Sequence, residues 1–220
     1  PLQTSSMKKK LLIHFLLVLL SITKGSAQVT KLSNNTNIQY GAQVGSRFLL
    51  VTEGGQLWST DGTPGGTTQF TTKVIADTAG SLAFFNSKVY FSGIEATNGS
   101  ELWVTDGTDA GTTLVKNIRA GAAGSVPDAF FTFNGSMYFT ADDGANGREL
   151  YKSDGSSANT VLFKDINTGA PGGMDTVSTY FINNGKVFFM AEDATHGREP
   201  WVSDGTLAGT VMLKDITSGG

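Results

Sequence analysis

Four near-copies of one short string constrain this chain more than any other feature. LWSTDGT, LWVTDGT, LYKSDGS and PWVSDGT place Asp61, Asp106, Asp154 and Asp204 in register, 45, 48 and 50 residues apart. A period in this range marks a repeated supersecondary unit, which cannot bury its own apolar face and must stack against its neighbours. The same order of features recurs around every Asp, so a structural unit is repeated and not merely a word.

The third copy shows what the unit contains. Ala129–Phe133 (AFFTF) is rich in β-formers and is followed by Asn134-Gly135, the strongest two-residue hairpin signal, then by Ser136–Ala141 (SMYFTA). The loop Asp142–Gly147 leads into Arg148–Ser153, and Asp154-Gly155 turns the chain into Thr160–Ile166. Each unit therefore reads as four antiparallel strands. In the second strand Met137 and Phe139 alternate with Tyr138, and the counterparts Val89, Phe91 with Tyr90 and Val187, Phe189 with Phe188 and Met190 are also apolar on both faces. Such a strand needs cover on both sides, which sheets stacked around an axis provide and a lone sheet does not. The last strand carries Lys116, Lys164 or Lys214 and Asn117, Asp165 or Asp215, charges and amides that suit an outer edge. The expected fold is all-β, a β-propeller-like array of four-stranded antiparallel blades. About four blades are expected, at roughly residues 28–77, 78–120, 121–168 and 169–220.

Residues 1–27 do not belong to that array. Met7 opens a basic cluster, Lys8 to Lys10, then a largely apolar run, Leu11–Leu20, then Gly25-Ser26-Ala27. This is the layout of a secretory signal, and the run is half the length of about 20 residues that a membrane span needs. Cleavage after Ala27 is expected, with Pro1–Ser6 as translated upstream sequence. Its removal takes four of the 16 Lys and Arg and none of the 19 Asp and Glu. The acidic remainder argues against nucleic acid and against stable membrane insertion or an anionic surface, and leaves proteins, glycans and cations as partners. Cysteine is absent although export would permit disulfides, so packing alone must hold the mature part together.

The aromatic residue before each turn, Trp58, Trp103, Tyr151 and Trp201, reads as packing between blades. The turn residues Asp61, Asp106, Asp154 and Asp204 read as turn chemistry, each accepting backbone N–H groups two residues on.

With these residues in hand, Gly99–Gly121 (GSELWVTDGTDAGTTLVKNIRAG) and the stretch after it resemble the ELWxxDGT repeat of secreted and surface proteins of Bacteroidetes and some other bacteria, sometimes labelled hyalin-like. The resemblance covers essentially the whole mature chain. It implies a propeller-like array within a longer exported protein, often ending in a sorting module for surface attachment. Four departures stand out: in the first unit Gln56 replaces the Glu of ELW and QFTTKVIAD has lost the K-D-I alignment, and in the third Tyr151 replaces Trp and Asn159 stands where other units carry Gly. No sorting module is seen, so the sequence reads as part of a longer one.

A catalytic constellation would break the repeat, and little here does. His196 occupies the loop position of Asn98 and Asn146, so it reads as a turn residue. The expected function is a non-catalytic binding, adhesion or scaffold protein at the cell surface or outside it. A carbohydrate-active enzyme, glycosidase or lyase, is one alternative, because such chemistry needs only carboxylates, and a calcium-stabilised surface spacer is the other. No cofactor is expected, except that Asp142, Asp143, Asn146 and Glu149 supply hard oxygens that calcium accepts, as do Glu192, Asp193 and Glu199. The competing reading has these acids capping turns and pairing with Arg148 or Arg198 at the surface. A ligand, protein or glycan, would meet the non-repeating segments Asp109-Ala110, Ala170–Asp175 and Ala194–His196 at one end of the array.

Overall fold

A computed structural model describes residues 29–31, 38–71, 74–77, 82–169, 171–175 and 179–216. The expected signal segment and its cleavage point lie outside the described residues.

The strands fall into four consecutive antiparallel sheets. The first holds Val29–Lys31 (β1), Ile38–Val44 (β2), Arg47–Thr52 (β3), Leu57–Thr60 (β4) and Thr68–Gln69 (β5), in sequence order. The second holds Ile75–Ala76 (β6), Leu82–Phe85 (β7), Lys88–Glu95 (β8), Gly99–Thr105 (β9) and Thr113–Lys116 (β10), with β6 and β7 both paired to β8. The third is Asp128–Phe133 (β11), Ser136–Asp142 (β12), Arg148–Ser153 (β13) and Val161–Lys164 (β14). The fourth is Tyr180–Asn183 (β15), Lys186–Asp193 (β16), Gly197–Ser203 (β17) and Val211–Met212 (β18). The boundary expected at 77/78 falls too late, because Ile75 and Ala76 pair with Ile94 and Gly93 of the second sheet.

Local chemistry sets the hairpins. Asn134 and Gly135 have φ of 47° and 71°, and Asn184 and Gly185 have 48° and 69°. Positive φ at both central residues gives the turn whose twist matches the flanking strands. The register that follows sets Phe133 opposite Ser136 and Phe131 opposite Tyr138.

Packing follows from that register. Ala42, Val44, Leu49, Val51 and Leu57 meet Val89, Phe91 and Trp103 of the second sheet. Ala83, Phe85, Tyr90 and Leu102 meet Met137, Phe139, Ala141 and Tyr151 of the third. Phe131, Phe133, Tyr138, Leu150 and Ile166 meet Val187, Phe189, Ala191 and Trp201 of the fourth. The second and third sheets are thus each sandwiched between their predecessor and their successor, as a blade is. Burying each large side chain contributes about 1.5–3 kcal/mol, which is why the two-faced apolar strands cannot stand alone.

Consecutive blades are joined by a linker that folds back over the third strand of the blade just completed. Ser125 and Val126 donate their N–H groups to Ser100 O at 2.8 and 2.9 Å, and Gly173 and Met174 donate to Arg148 O at 3.1 and 3.0 Å. Gly124 (φ +66°) and Gly172 (φ +71°) occupy the crossing, where a Cβ would lie 2.3 Å from Ser100 N and 2.4 Å from Arg148 N. No side chain fits there.

Candidate functional site

In a blade of four sequential antiparallel strands the loops alternate between two ends. The first hairpin and the DGT turn lie at one end; the loop between second and third strands and the inter-blade linker lie at the other. The three segments expected to share a ligand therefore do not share an end. Asp109-Ala110, between β9 and β10, belongs to the turn end, whereas 171–175 and Ala194–His196 belong to the linker end. Residue 170 lies outside the described residues.

The turn end is built from hydroxyls and carboxylates that satisfy one another. Asp61 accepts hydrogen bonds from the N–H and hydroxyl of Thr63 at 2.9 and 2.8 Å. Asp106, Asp154 and Asp204 do the same with Thr108, Ser156 and Thr206. These donors hold all four carboxyls below the usual range, Asp154 at about 2 through the Ser156 hydroxyl first and the Asn159 amide second. Beneath each turn a hydroxyl pair closes the loop: Thr60 with Thr67 at 2.7 Å, Thr105 with Thr112 at 2.8 Å, Ser153 with Thr160 at 2.7 Å and Ser203 with Thr210 at 2.6 Å. The recurring letters of the motif are thereby used up in turn formation. Neighbouring blades also meet here, since the Asn86 and Asn134 side chains donate to the backbone carbonyls of Asp154 and Asp204. Asp109 accepts hydrogen bonds from the backbone N–H and hydroxyl of Thr71 in the first blade.

Three of the four recurring aromatics lie where blades meet, and Trp58, expected to do the same, packs instead within its own sheet. Trp103, Tyr151 and Trp201 sit in the three inter-blade cores, and half-buried Trp58 packs on Ile38, Phe48 and Leu50. Tyr151 also donates its hydroxyl to Asp143 at 3.0 Å.

The recurring glutamates correct the surface reading given above. Glu101, Glu149 and Glu199 are fully buried. Glu149 accepts the N–H groups of Ile166 and Asn167 at 2.9 and 3.0 Å. Glu101 accepts those of Ile118 and Arg119 at 2.8 and 3.0 Å, with the Ser125 hydroxyl at 2.6 Å, and Glu199 accepts that of Ile216 at 2.9 Å. Each carboxylate latches the start of the outgoing linker, whose backbone has left the sheet and needs acceptors. Burial pushes Glu149 up to about 7 against the pull of its N–H donors, and pushes Glu101 up as well. Arg148 turns inward from the surface reading: it donates to Val126 O at 2.8 Å and Thr140 Oγ1 at 3.2 Å. The sequence carried one signal for the latch, a charge recurring on a strand whose neighbours are apolar.

The same geometry bears on the calcium set. Asp142 accepts from Gly144 N–H and pairs with Arg119 at 2.7 Å. Asp143 accepts from Ala145 N–H, Asn146 N–H, the Asn146 amide and the Tyr151 hydroxyl. Burial works upward on Asp143, yet these donors bring it to about 2. Glu149 faces the linker. Asp142, Asp143 and Glu149 thus point their oxygens at protein donors and not at a shared centre, and Asn146 gives its amide N–H to Asp143. Among the described residues no group of three or more acidic, His or Cys side chains is gathered for a metal.

What remains at the linker end is a polar surface that differs between blades. The third and fourth blades present the Arg119–Asp142 and Arg198–Asp175 ion pairs. Asp193 accepts the Thr195 and His196 N–H groups and pairs with the His196 ring at 2.9 Å, which raises the imidazole pKa. Such groups offer donors and acceptors to a polar ligand.

No protein-family model and no curated protein matches the chain. Among solved structures it is similar to puromycin hydrolase, with a TM-score of 0.52 and 14% identity over 80% of this chain and 28% of that one. It is also similar to the β-propeller domain of the Trilobed protease of Pyrococcus furiosus, with a TM-score of 0.41 and 13% identity over 82% of this chain and 54% of that one. An acylaminoacyl peptidase of Pyrococcus horikoshii scores 0.42 at 14% identity, over 80% of this chain and 27% of that one. The chain spans less than a third of the length of puromycin hydrolase. At such identity the likeness to puromycin hydrolase concerns the fold alone, and the sheet order above defines the class: an all-β, propeller-like array of four-stranded blades. No helix among the described residues is long and apolar enough to cross a membrane.

Proposed function

We propose that this chain is an exported or cell-surface repeat protein of the ELWxxDGT kind, without catalytic activity of its own, that works by holding a protein or glycan ligand at the linker end of its blades. The observation that carries this reading is the fate of the recurring acids. The four turn aspartates accept hydrogen bonds within their own turns and the three glutamates accept linker N–H groups, so the repeat serves architecture. Two of the three non-repeating segments, 171–175 and Ala194–His196, lie in loops at the linker end, where a rigid scaffold commonly carries its binding groups. The hydrolase and peptidase names of the structural neighbours belong to chains of which this one matches only part, and they support the scaffold and not a reaction.

The test sets a glycan and protein binding screen beside a hydrolysis assay on the same polysaccharides. A variant in which Ala194–His196 is replaced by the Gly-Ala-Asn of the third blade should lose binding and keep its melting temperature. Turnover of any polysaccharide by the intact protein, or binding indifferent to the linker-end loops, would refute the proposal. Mapping the amino terminus of the secreted product tests export: cleavage after Ala27 is expected.

A further inference from the structure

One loop recurs at the linker end of the second, third and fourth blades, between their long middle strands. Its residues Asn98, Asn146 and His196 are all half-buried, and each reaches back to a carboxylate three positions earlier. Asn98 donates its amide to Glu95 and Asn146 donates to Asp143 at 2.8 Å, while His196 sets Nδ1 2.9 Å from Asp193. In the second blade the outgoing linker is tied to this loop as well, because Asn117 donates its amide to Asn98 Oδ1 at 2.9 Å. Neither amide titrates, so that tie does not depend on pH.

The third and fourth blades change the chemistry of the tie. Asp165 and Asp215 stand 19 positions after Asn146 and His196, as Asn117 stands after Asn98. An ionised carboxylate accepts hydrogen bonds and cannot donate as the Asn117 amide does. Asp165 leaves Oδ1 buried with no hydrogen-bond partner among the described residues, while the Asn146 amide goes to Asp143. The fourth blade differs in that its loop residue is able to donate from two sides. With Nδ1–H turned to Asp193, a second N–H for Asp215 exists only when Nε2 is protonated too. The charged groups that act on the ring are Asp193 on β16, Asp215 on the linker and Glu199 on β17. The hydrogen bond to Asp193 does most to raise the imidazole pKa, and the charges of Asp215 and Glu199 add to it. In the structure the ring is paired with Asp193, which leaves Nε2 for the linker.

We propose that His196 is a proton-operated strap: with both ring nitrogens protonated it ties the loop of the fourth blade to Asp215 on the outgoing linker, and on losing a proton it lets the two part. The tie is present while the ring is charged and is lost as pH rises through the His196 midpoint, because a group whose folded pKa is raised contributes its stability below that value. The second blade is thus tied permanently and the fourth is switched. The same loop belongs to the surface assigned above to a ligand, and the strap decides at which pH that loop is free to rearrange. The strap itself does not rest on the ligand reading.

The chain has two histidines, His14 and His196, so the His196 ring resonances are those that disappear in His196→Asn. Followed by NMR, the ring should titrate above the ordinary imidazole midpoint. Asp215→Asn should lower its midpoint by about 0.2–0.7 pH unit, the range an exposed ion pair gives. At least half of that difference should persist in 1 M salt, where the screening length falls to about 3 Å, the length of a contact pair. Exchange of the Thr195 and Gly197 N–H groups with solvent, corrected for its intrinsic dependence on pH, reads the loop itself. Both should be about two- to fivefold better protected below the midpoint than above it, and Asp215→Asn should remove the difference. A midpoint that Asp215→Asn does not move, a shift that vanishes in 1 M salt, or protection equal on both sides of the midpoint would overturn the strap. None of these readouts involves a ligand, so failure of the ligand reading leaves them standing.

Discussion

Removing the Glu149 carboxylate should cost far more than a single side chain on a small unit ordinarily does. Its two oxygens accept the N–H groups of Ile166 and Asn167 at 2.9 and 3.0 Å, in a fully buried setting. Glu149→Ala leaves both donors without a partner in a place water does not reach. A buried unsatisfied polar group costs about 1–3 kcal/mol, so two cost roughly 2–6 kcal/mol. Glu149→Gln keeps one carbonyl oxygen and turns an amide N–H toward the other donor, so it should lose about half as much. The first blade provides the control within the same molecule. Gln56 holds the same position in the repeat but is exposed, and among the described residues its side chain hydrogen-bonds the neighbouring Thr52 hydroxyl. Gln56→Ala should therefore change stability by no more than about 0.5 kcal/mol. Urea unfolding followed by the intrinsic fluorescence of Trp201 and its neighbours would compare the three variants from midpoint and slope. A loss below about 1 kcal/mol for Glu149→Ala, or an equal loss for Gln56→Ala, would refute the latch.

Gly111→Ala should cost about 0.5–1.5 kcal/mol, because its Cβ would lie 2.0 Å from Asp106 Oδ1 and displace the carboxylate from Thr108. Gly111→Asn should be milder, since Asn159 at the same place donates its amide to Asp154 at 2.6 Å; equal melting temperatures for the two variants would count against this account. Stability should also bend at both ends of the pH range. The lowered Asp143 and Asp154 contribute stability that is present above about pH 4 and lost as pH falls toward 2. Glu149, raised to about 7, contributes stability that is complete below its unfolded value near 4.3 and is lost as pH rises through 7. Denaturant midpoints of Asp154→Asn and Glu149→Gln across pH should show the acid limb and the neutral limb flattened respectively, and an unflattened limb would contradict that assignment. Chelator should leave the melting temperature unmoved, as the oxygens of Asp142, Asp143 and Glu149 are already engaged. A drop of more than about 4 °C, the shift that some 1 kcal/mol makes in a domain of this kind, would reinstate calcium.

Much of the fold was legible from residues alone because its determinants are local. Asn134-Gly135 specifies a hairpin through backbone dihedrals that two residues settle between themselves. The strands read over the third unit, Ser136–Ala141 and Arg148–Ser153, lie within one residue of β12 and β13, since alternation and flanking turns mark both ends. The DGT string is likewise self-explanatory, each letter bonding to another within a few residues. Less was legible where a side chain's partner lies in a different segment. Glu149 and Asp142 are neighbours of similar type in the sequence. One is buried under a linker that returns 17 residues later, and the other faces Arg119 of the linker before it. The grouping of Asp109-Ala110 with Ala194–His196 failed for the same reason, since which loops share an end depends on counting strands and not on their composition.

The amino-acid order alone determined that the chain is a tandem of β-units, how each unit turns, and that its middle strands need apolar cover on two sides. Only the tertiary arrangement decided which of the recurring acids are buried latches and which are turn caps, and which loops share an end. The reason is physical: a turn is an agreement among adjacent residues, whereas burial of a carboxylate depends on which distant segment comes to lie over it.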